Sequence, residues 1–412
     1  MKWVNALSTR PSLELAIQEV VEQTTQQLDA PADMAMVFIS SAFASEFSRL
    51  MPLLRDRLNV PVIIGSSGGG VVGHPAAQTS QETVEIEGEA ALGLTLAHLP
   101  GVSIQTFHID SGNLPDPDAP PDRWIETIGV DPSDRPNFIL LAEPFATGIN
   151  DLLQGMDFAY PGSVKVGGLA TAGSMTGQCG LFCNYEQHDS GIVGLALSGD
   201  IVMEAIVAQG CRPIGNPYRV VQGERNILLE LDDDSTDACN GKTPIEMLQN
   251  LIRDLSEDDQ LLAQNSLFIG IAQNEFKQDL DQGDFLIRNL IGVDPKLGAI
   301  AIGDRVRPGQ RVQFHLRDAN TSMEDLEGLL RQYTEHHANN GTVGALMFAC
   351  LGRGEGLYEQ SNVDSQLFQH HVGTVSLSGF FCNGEIGPVG NTTFLHGYTS
   401  VFGICRSPQL GK

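Results

Sequence analysis

Between residues 345 and 405 the sequence gathers a thiol, a guanidinium, a carboxylate and an imidazole among glycines. It reads A-L-M-F-A-C-L-G-R-G at 345–354, L-S-G-F-F-C-N-G-E-I-G-P-V-G at 377–390 and F-L-H-G-Y-T-S at 394–400. Cys350 and Arg353 follow one apolar run, and Glu385 follows another. Glycines let a backbone come close to a ligand, so charged side chains on glycine loops at strand ends build a pocket floor. A cation beside a thiol lowers its pKa, and Cys350 with His396 and Glu385 would make a Cys–His–acid set for hydrolysis or group transfer. The alternative is that Cys350 is a small buried hydrophobe.

Arg288, Arg317 and Arg353 each follow a β-like segment. A guanidinium is never neutral, so a buried one needs an anion. Either an internal acid such as Asp318 or Glu385 supplies it, or a ligand carboxylate is held bidentately. Glu385 suits an ammonium, and Thr399 adds a hydroxyl, so an amino acid matches both kinds of charge. The candidate ligand-binding set is Arg288, Arg317, Cys350, Arg353, Phe380, Phe381, Glu385, His396 and Thr399.

Other chemistries are poorly supported. The run G-S-S-G-G-G at 65–70 has no Walker lysine and no G-x-G-x-x-G, and 167–173 fails the same tests. There is no C-x-x-C or H-E-x-x-H, and the pairs His336–His337 and His370–His371 point apart on any regular element, so no metal site is expected. A net charge of −27 argues against nucleic acid and anionic membranes as partners. The first twelve residues lack the apolar stretch of a signal peptide, and no window approaches a membrane span. Seven scattered cysteines read as reduced thiols in a cytoplasmic setting rather than a disulfide framework.

The elements that must position these residues follow from periodicity. Apolar residues at helical spacing predict a helix over 11–28, with others at 46–58, 123–128 and 149–156. Short apolar runs predict strands at 36–40, 62–64, 83–86, 91–97, 102–109, 138–141, 164–166, 191–197 and 201–207. Strand, small loop, helix, strand and glycine loop recur at 37–70, 138–173 and 345–390, which suggests an internal repeat. A turn-rich stretch at 209–217 predicts a boundary. Beyond it, strands are expected at 226–231, 267–272, 284–291, 299–302, 311–316, 345–349 and 374–377. Thr243-Pro-Ile-Glu246 predicts a capped helix to about 255, and Ser322-x-x-Asp325 a helix over 323–337. The expected class is α/β of the α+β sandwich type. It has two related domains, 1–218 and 219–412, each of mixed sheets covered by helices.

The order of several short motifs resembles the FIST family of sensory proteins. They are I-I-G-S-S-G-G at 63–69, V-G-G-L-A at 166–170, Q-G-C-R-P-I-G at 209–215 and L-I-R-N-L-I-G at 286–292. R-D-A at 317–319, A-C-L-G-R-G at 349–354, S-G-F-F-C-N-G-E-I-G-P at 378–388 and H-G-Y-T-S at 396–400 complete the order. The resemblance implies an N-terminal and a C-terminal FIST domain meeting near Tyr218, and a small-ligand sensor. It implies output through a separate signalling partner, since kinase, methyl-accepting and F-box segments are not recognised here. Some relatives resemble haem-based nitric-oxide sensors, for which His315, His396 or a cysteine would be the axial ligand. F-box relatives imply a protein-binding scaffold as a further use. No catalytic activity carries over.

Overall fold

The computed structural model describes residues 1–76, 82–146, 148–172, 177–233, 241–274, 277–337 and 341–408. It divides into two compact units, Met1–Ala208 with Leu326–Lys412, and Gln209–Asp325.

The first unit contains three six-stranded sheets with one shared plan. In order across the sheet, the first runs Lys2–Ser8, Leu92–His98, Met34–Ser40, Ile63–Gly68, Leu181–Cys183 and Glu186–His188. The second runs Val102–Ile109, Ile192–Gly199, Asn137–Ala142, Lys165–Leu169, Glu385–Val389 and Thr392–His396. The third runs Val202–Ala208, Ser400–Arg406, Thr342–Cys350, Leu377–Cys382, Gly70–Gly73 and Val84–Glu87. In every sheet the two middle strands are parallel and the other pairings antiparallel. The recurrence at 37–70, 138–173 and 345–390 is therefore a threefold structural repeat. Each repeat gives its last hairpin away: that of the first pairs in the third sheet, that of the second in the first, and that of the third in the second.

Burial explains the apolar runs. In Met34–Ser40, Met34, Met36 and Phe38 join a core shared by all three sheets, while Ala35, Val37 and Ile39 pack under the helices Leu13–Leu28 and Phe47–Arg55. The second sheet repeats this under Pro121–Ile128 and Ile149–Ala159, and the third under Ala319–His337 and Val363–Val372. A strand covered on both faces has no polar face, so its sequence does not alternate.

The second unit is a closed barrel of Arg212–Glu224, Ile227–Asp233, Ala299–Ile302, Phe285–Asp294, Leu267–Ala272 and Arg311–Leu316. In sequence it is an insertion into the third repeat, between the strand Val202–Ala208 and the helix Ala319–His337. The corresponding connection in the first repeat, from Ser8 to Leu13, is short.

Several expectations shift. The expected boundary at Tyr218 falls inside the strand Arg212–Glu224, whose pairing is interrupted between Ile214 and Tyr218; that break accommodates the Gly and Pro residues that read as a linker. The strand expected at 374–377 lies at Leu377–Cys382, and the supposed glycine loop at 65–70 is largely the strand Ile63–Gly68. A Cβ at Gly65, Gly167 or Gly379 would sit 2.2, 1.8 or 1.8 Å from the carbonyl oxygen of Val37, Leu140 or Met347. These glycines make room for the neighbouring strand and do not mark a turn. The helix expected from 323 begins at Ala319, where Asp318 Oδ1 accepts from Thr321 N–H at 2.7 Å. Thr243 and Glu246 form the expected capping box. Cys239 lies outside the described residues.

Candidate functional site

The three parallel pairs end side by side. Gly69 N–H donates to the Phe381 carbonyl at 2.9 Å, Thr171 N–H to Ser67 at 3.0 Å, and Asn383 N–H to Leu169 at 3.1 Å. Counting from Gly65, Gly167 and Gly379, the donors are equivalent residues and so are the acceptors. The bonds thus form a ring in which each repeat donates to the previous one. It gathers the carboxyl ends of three parallel strand pairs, the place where open α/β sheets hold ligands.

The same symmetry serves as an internal alignment. Cys350 N–H donates to Thr399 as Ser40 does to Ala91 and Glu143 to Gly191. Glu385 pairs with Gly168 as Val71 does with Phe380 and Leu181 with Ser66. Cys382 stands where the other repeats have Gly68 and Ala170. The third repeat therefore carries Cys350, Cys382, Glu385 and Thr399 where the first has Ser40, Gly68, Val71 and Ala91, and the second has Glu143, Ala170, Leu181 and Gly191. Val71 and Leu181 are core aliphatics, so packing at this position does not call for a carboxylate.

These four side chains meet. Glu385 is fully buried, and its Oε2 accepts from Thr399 N–H at 3.0 Å and from Thr399 Oγ1 at 2.7 Å. The Cys382 thiol lies 3.6 Å from Glu385 Oε1 and 3.3 Å from the Ala349 carbonyl, one proton for two acceptors. The Cys350 thiol also donates to the carboxylate, and Gly352 N–H donates to Cys350 Sγ at 3.4 Å. Burial pushes the Glu385 carboxyl up to about 7 against the opposing bonds from Thr399 and the thiols. Burial and then the Glu385 charge push the Cys382 thiol up. Cys350 is the partly exposed member. Beside it Tyr398 has a φ of +66°, uncommon for a bulky residue and a form of strain that clusters at functional sites.

Of the sequence candidates, the structure brings Cys350, Glu385 and Thr399 into contact. The remaining candidates are placed elsewhere or otherwise engaged. Arg353 is fully buried in a bidentate pair with Asp364, at 2.7 Å from Nε and 2.9 Å from Nη2, and Tyr358 bonds both partners. Its anion is thus internal, and it is neither Asp318 nor Glu385. Arg288 Nε meets Asp304 at 2.8 Å. Arg288 and Arg317 belong to the barrel unit, Arg317 buried with its backbone N–H on the Ser266 carbonyl. Phe380 stacks on Phe38 in the central core, and Phe381 packs in the core of the third sheet's outer face, so neither is pocket lining. His396 is buried across the hairpin from Glu385 with Nε2 2.9 Å from the Gly387 carbonyl; the group that the Cys350 thiol meets is the carboxylate. His315 is fully buried in the barrel unit, with Nδ1 3.0 Å from the Gln313 carbonyl and Nε2 without a hydrogen-bond partner among the described residues. Burial pushes it down to about 4, so it is neutral at pH 7.

Cys382 and Tyr398 were missing from the candidate set. Aligning the three glycine-centred strand motifs with each other would have exposed Cys382 as an exception.

Known proteins match along most of the chain. The FIST N domain model matches residues 33–234 and the FIST C domain model residues 244–388. An uncharacterized protein of Mycobacterium tuberculosis is 31% identical over 401 residues, covering 96% of this chain and 97% of that protein. One of Mycobacterium bovis is 31% identical over 399 residues, 95% of each chain. An F-box/LRR-repeat protein of Arabidopsis thaliana is 19% identical over 470 residues, covering 97% of this chain and 85% of that protein.

Proposed function

Since the chain belongs to the FIST family, whose domains are sensory domains of signal transduction, we propose that it senses an amino acid or a similar small ligand carrying a carboxylate and an ammonium. The ligand binds at the carboxyl ends of the third repeat's parallel strands, and the site signals through a separate partner protein in the cytoplasm. The observation that carries this reading is Glu385, a carboxyl buried where the other two repeats have Val71 and Leu181. Its Oε2 accepts from Thr399, while Oε1 meets the Cys382 thiol at 3.6 Å, a weak donor beside an N–H. A ligand ammonium at Oε1 would restore the charge that burial disfavours. Arg353 and Arg288 already hold Asp364 and Asp304, so recognition rests on the ammonium end.

The test is calorimetry with an amino-acid panel preceded by a thermal-shift screen, in which a ligand at 100 Kd adds about 2.7 kcal/mol of stability. Binding at pH 7 should release about half a proton, because a carboxyl raised to about 7 is half ionised there, and Glu385→Gln should abolish both affinity and proton release. A panel without a hit, or a Glu385→Gln protein that binds as wild type does, overturns the reading.

His315 supports a second reading, a haem-based sensor. A neutral imidazole with Nδ1 on a carbonyl and an Nε2 without a hydrogen-bond partner among the described residues has the electronic set-up of an axial ligand. Its fully buried ring packs 5.0 Å from that of Phe285, so the packing around it has to open to admit a porphyrin. Titration with haem should give a Soret band that shifts in His315→Ala; a featureless spectrum removes this reading.

A further inference from the structure

We propose that Cys350 and Cys382 form a peroxide-responsive thiol pair, in which a hydroperoxide oxidises Cys350 and Cys382 resolves it to a Cys350–Cys382 disulfide. The two residues are register partners at the end of adjacent parallel strands. Neighbouring strands lie about 4.8 Å apart, inside the roughly 4.4–6.8 Å that a disulfide spans between Cα atoms. Register partners of a parallel pair project to the same face, and both thiols reach the one Glu385 carboxylate.

The roles divide by exposure. Cys350 is partly exposed and receives the Gly352 N–H at its sulfur. Cys382 is fully buried behind it. Exposed attacking thiol and adjacent protected thiol are the arrangement of redox-sensing cysteines. Neither cysteine has a thiol counterpart in the other repeats, where Ser40 with Gly68 and Glu143 with Ala170 fill the same positions.

The chemistry balances with Glu385 as the proton carrier. The Cys350 proton passes to the carboxylate as its sulfur attacks the hydroperoxide, breaking the O–O bond. The leaving alkoxide takes the proton and departs as an alcohol (water, when the oxidant is hydrogen peroxide). Cys350 is left as a sulfenic acid. Cys382 then gives its proton through Glu385 while its sulfur attacks that of Cys350, and hydroxide leaves as water. Two thiols lose two electrons, and one hydroperoxide gains them.

The experiment treats the reduced full-length chain with hydrogen peroxide in slight excess, without any sensory ligand, so its outcome is separate from that of the ligand reading. Intact mass should fall by about 2 Da, the two thiol hydrogens. On alkylation after unfolding, two of the seven thiols should prove unreactive. Peptide mapping should show Cys350 joined to Cys382, reversibly by dithiol. Cys382→Ser should stop at a sulfenic acid on Cys350 that a dione probe traps, and Cys350→Ser should leave Cys382 reduced. Wild-type protein whose Cys382 stays alkylatable after treatment, or whose cross-link joins Cys179, Cys183, Cys211 or Cys405, overturns the proposal. The wild-type map stands alone if a variant fails to fold.

Discussion

Replacing Glu385 by Gln should make the protein more stable at pH 8 and leave the gain much smaller at pH 4.5. The carboxyl has an ordinary value of 4.5, and burial in the folded protein raises it to about 7. Below pH 4.5 it is protonated in both folded and unfolded chains and adds no pH dependence. Between 4.5 and 7 the unfolded chain ionises while the folded one holds its proton, so stability falls as pH rises. Above 7 both states are ionised and the loss levels off. At about 1.4 kcal/mol for each tenfold change, the wild type should lose about 3 kcal/mol relative to Glu385→Gln across that window. Glutamine keeps an acceptor for Thr399 and carries no charge. The assay is urea unfolding of both proteins at several pH values from 4.5 to 8, where the midpoint gap should widen by roughly 1 M. Glu85, also buried and pushed up to about 8, titrates in both proteins and cancels in the difference. A gap independent of pH, or a wild type that gains on the variant as pH rises, would refute the reasoning: Glu385 would then be an ionised carboxylate satisfied by the fold alone.

Two further outcomes test the frame around the site. Asp364→Ala removes the counter-ion of a fully buried Arg353 and should cost about 3–5 kcal/mol in urea unfolding; a cost below about 1 kcal/mol would mean that the guanidinium serves another anion. Gly379→Ala puts a methyl 1.8 Å from the Met347 carbonyl oxygen and should destabilise by at least the roughly 1–3 kcal/mol of an overpacked core. A Gly379→Ala protein as stable as wild type would show that the parallel pair does not hold this glycine in close contact.

Much of the fold was legible because burial leaves a periodic trace. The strand–helix–strand–glycine recurrence at 37–70, 138–173 and 345–390 was readable, since each unit needs two buried strands and an amphipathic helix over them. The helix Leu13–Leu28 and the capped helix Pro244–Asp254 were readable for the same local reasons. The three glycine motifs were visible but misleading: glycine is a turn signal in isolation, and only a neighbouring carbonyl within 2.2 Å of the absent Cβ shows it belongs inside a strand. The strand Arg212–Glu224 was hidden because its Pro and Gly residues sit at a break in the pairing.

For the site, the sequence by itself determined which groups were available: a thiol, a carboxylate and a hydroxyl near the ends of two apolar runs, and three arginines that each needed an anion. It also determined that the anion need not come from outside, because acids abound in a chain of net charge −27. Only the tertiary structure decided the partners. Arg353 takes Asp364, eleven residues on, because the loop and the helix Val363–Val372 fold back on the strand end. Glu385 reaches Cys350 and Thr399 because the hairpin of the third repeat crosses to the second sheet. Hydrophobic periodicity is a property of neighbours along the chain, whereas the exchange of hairpins among three repeats is a long-range pairing that no local pattern records.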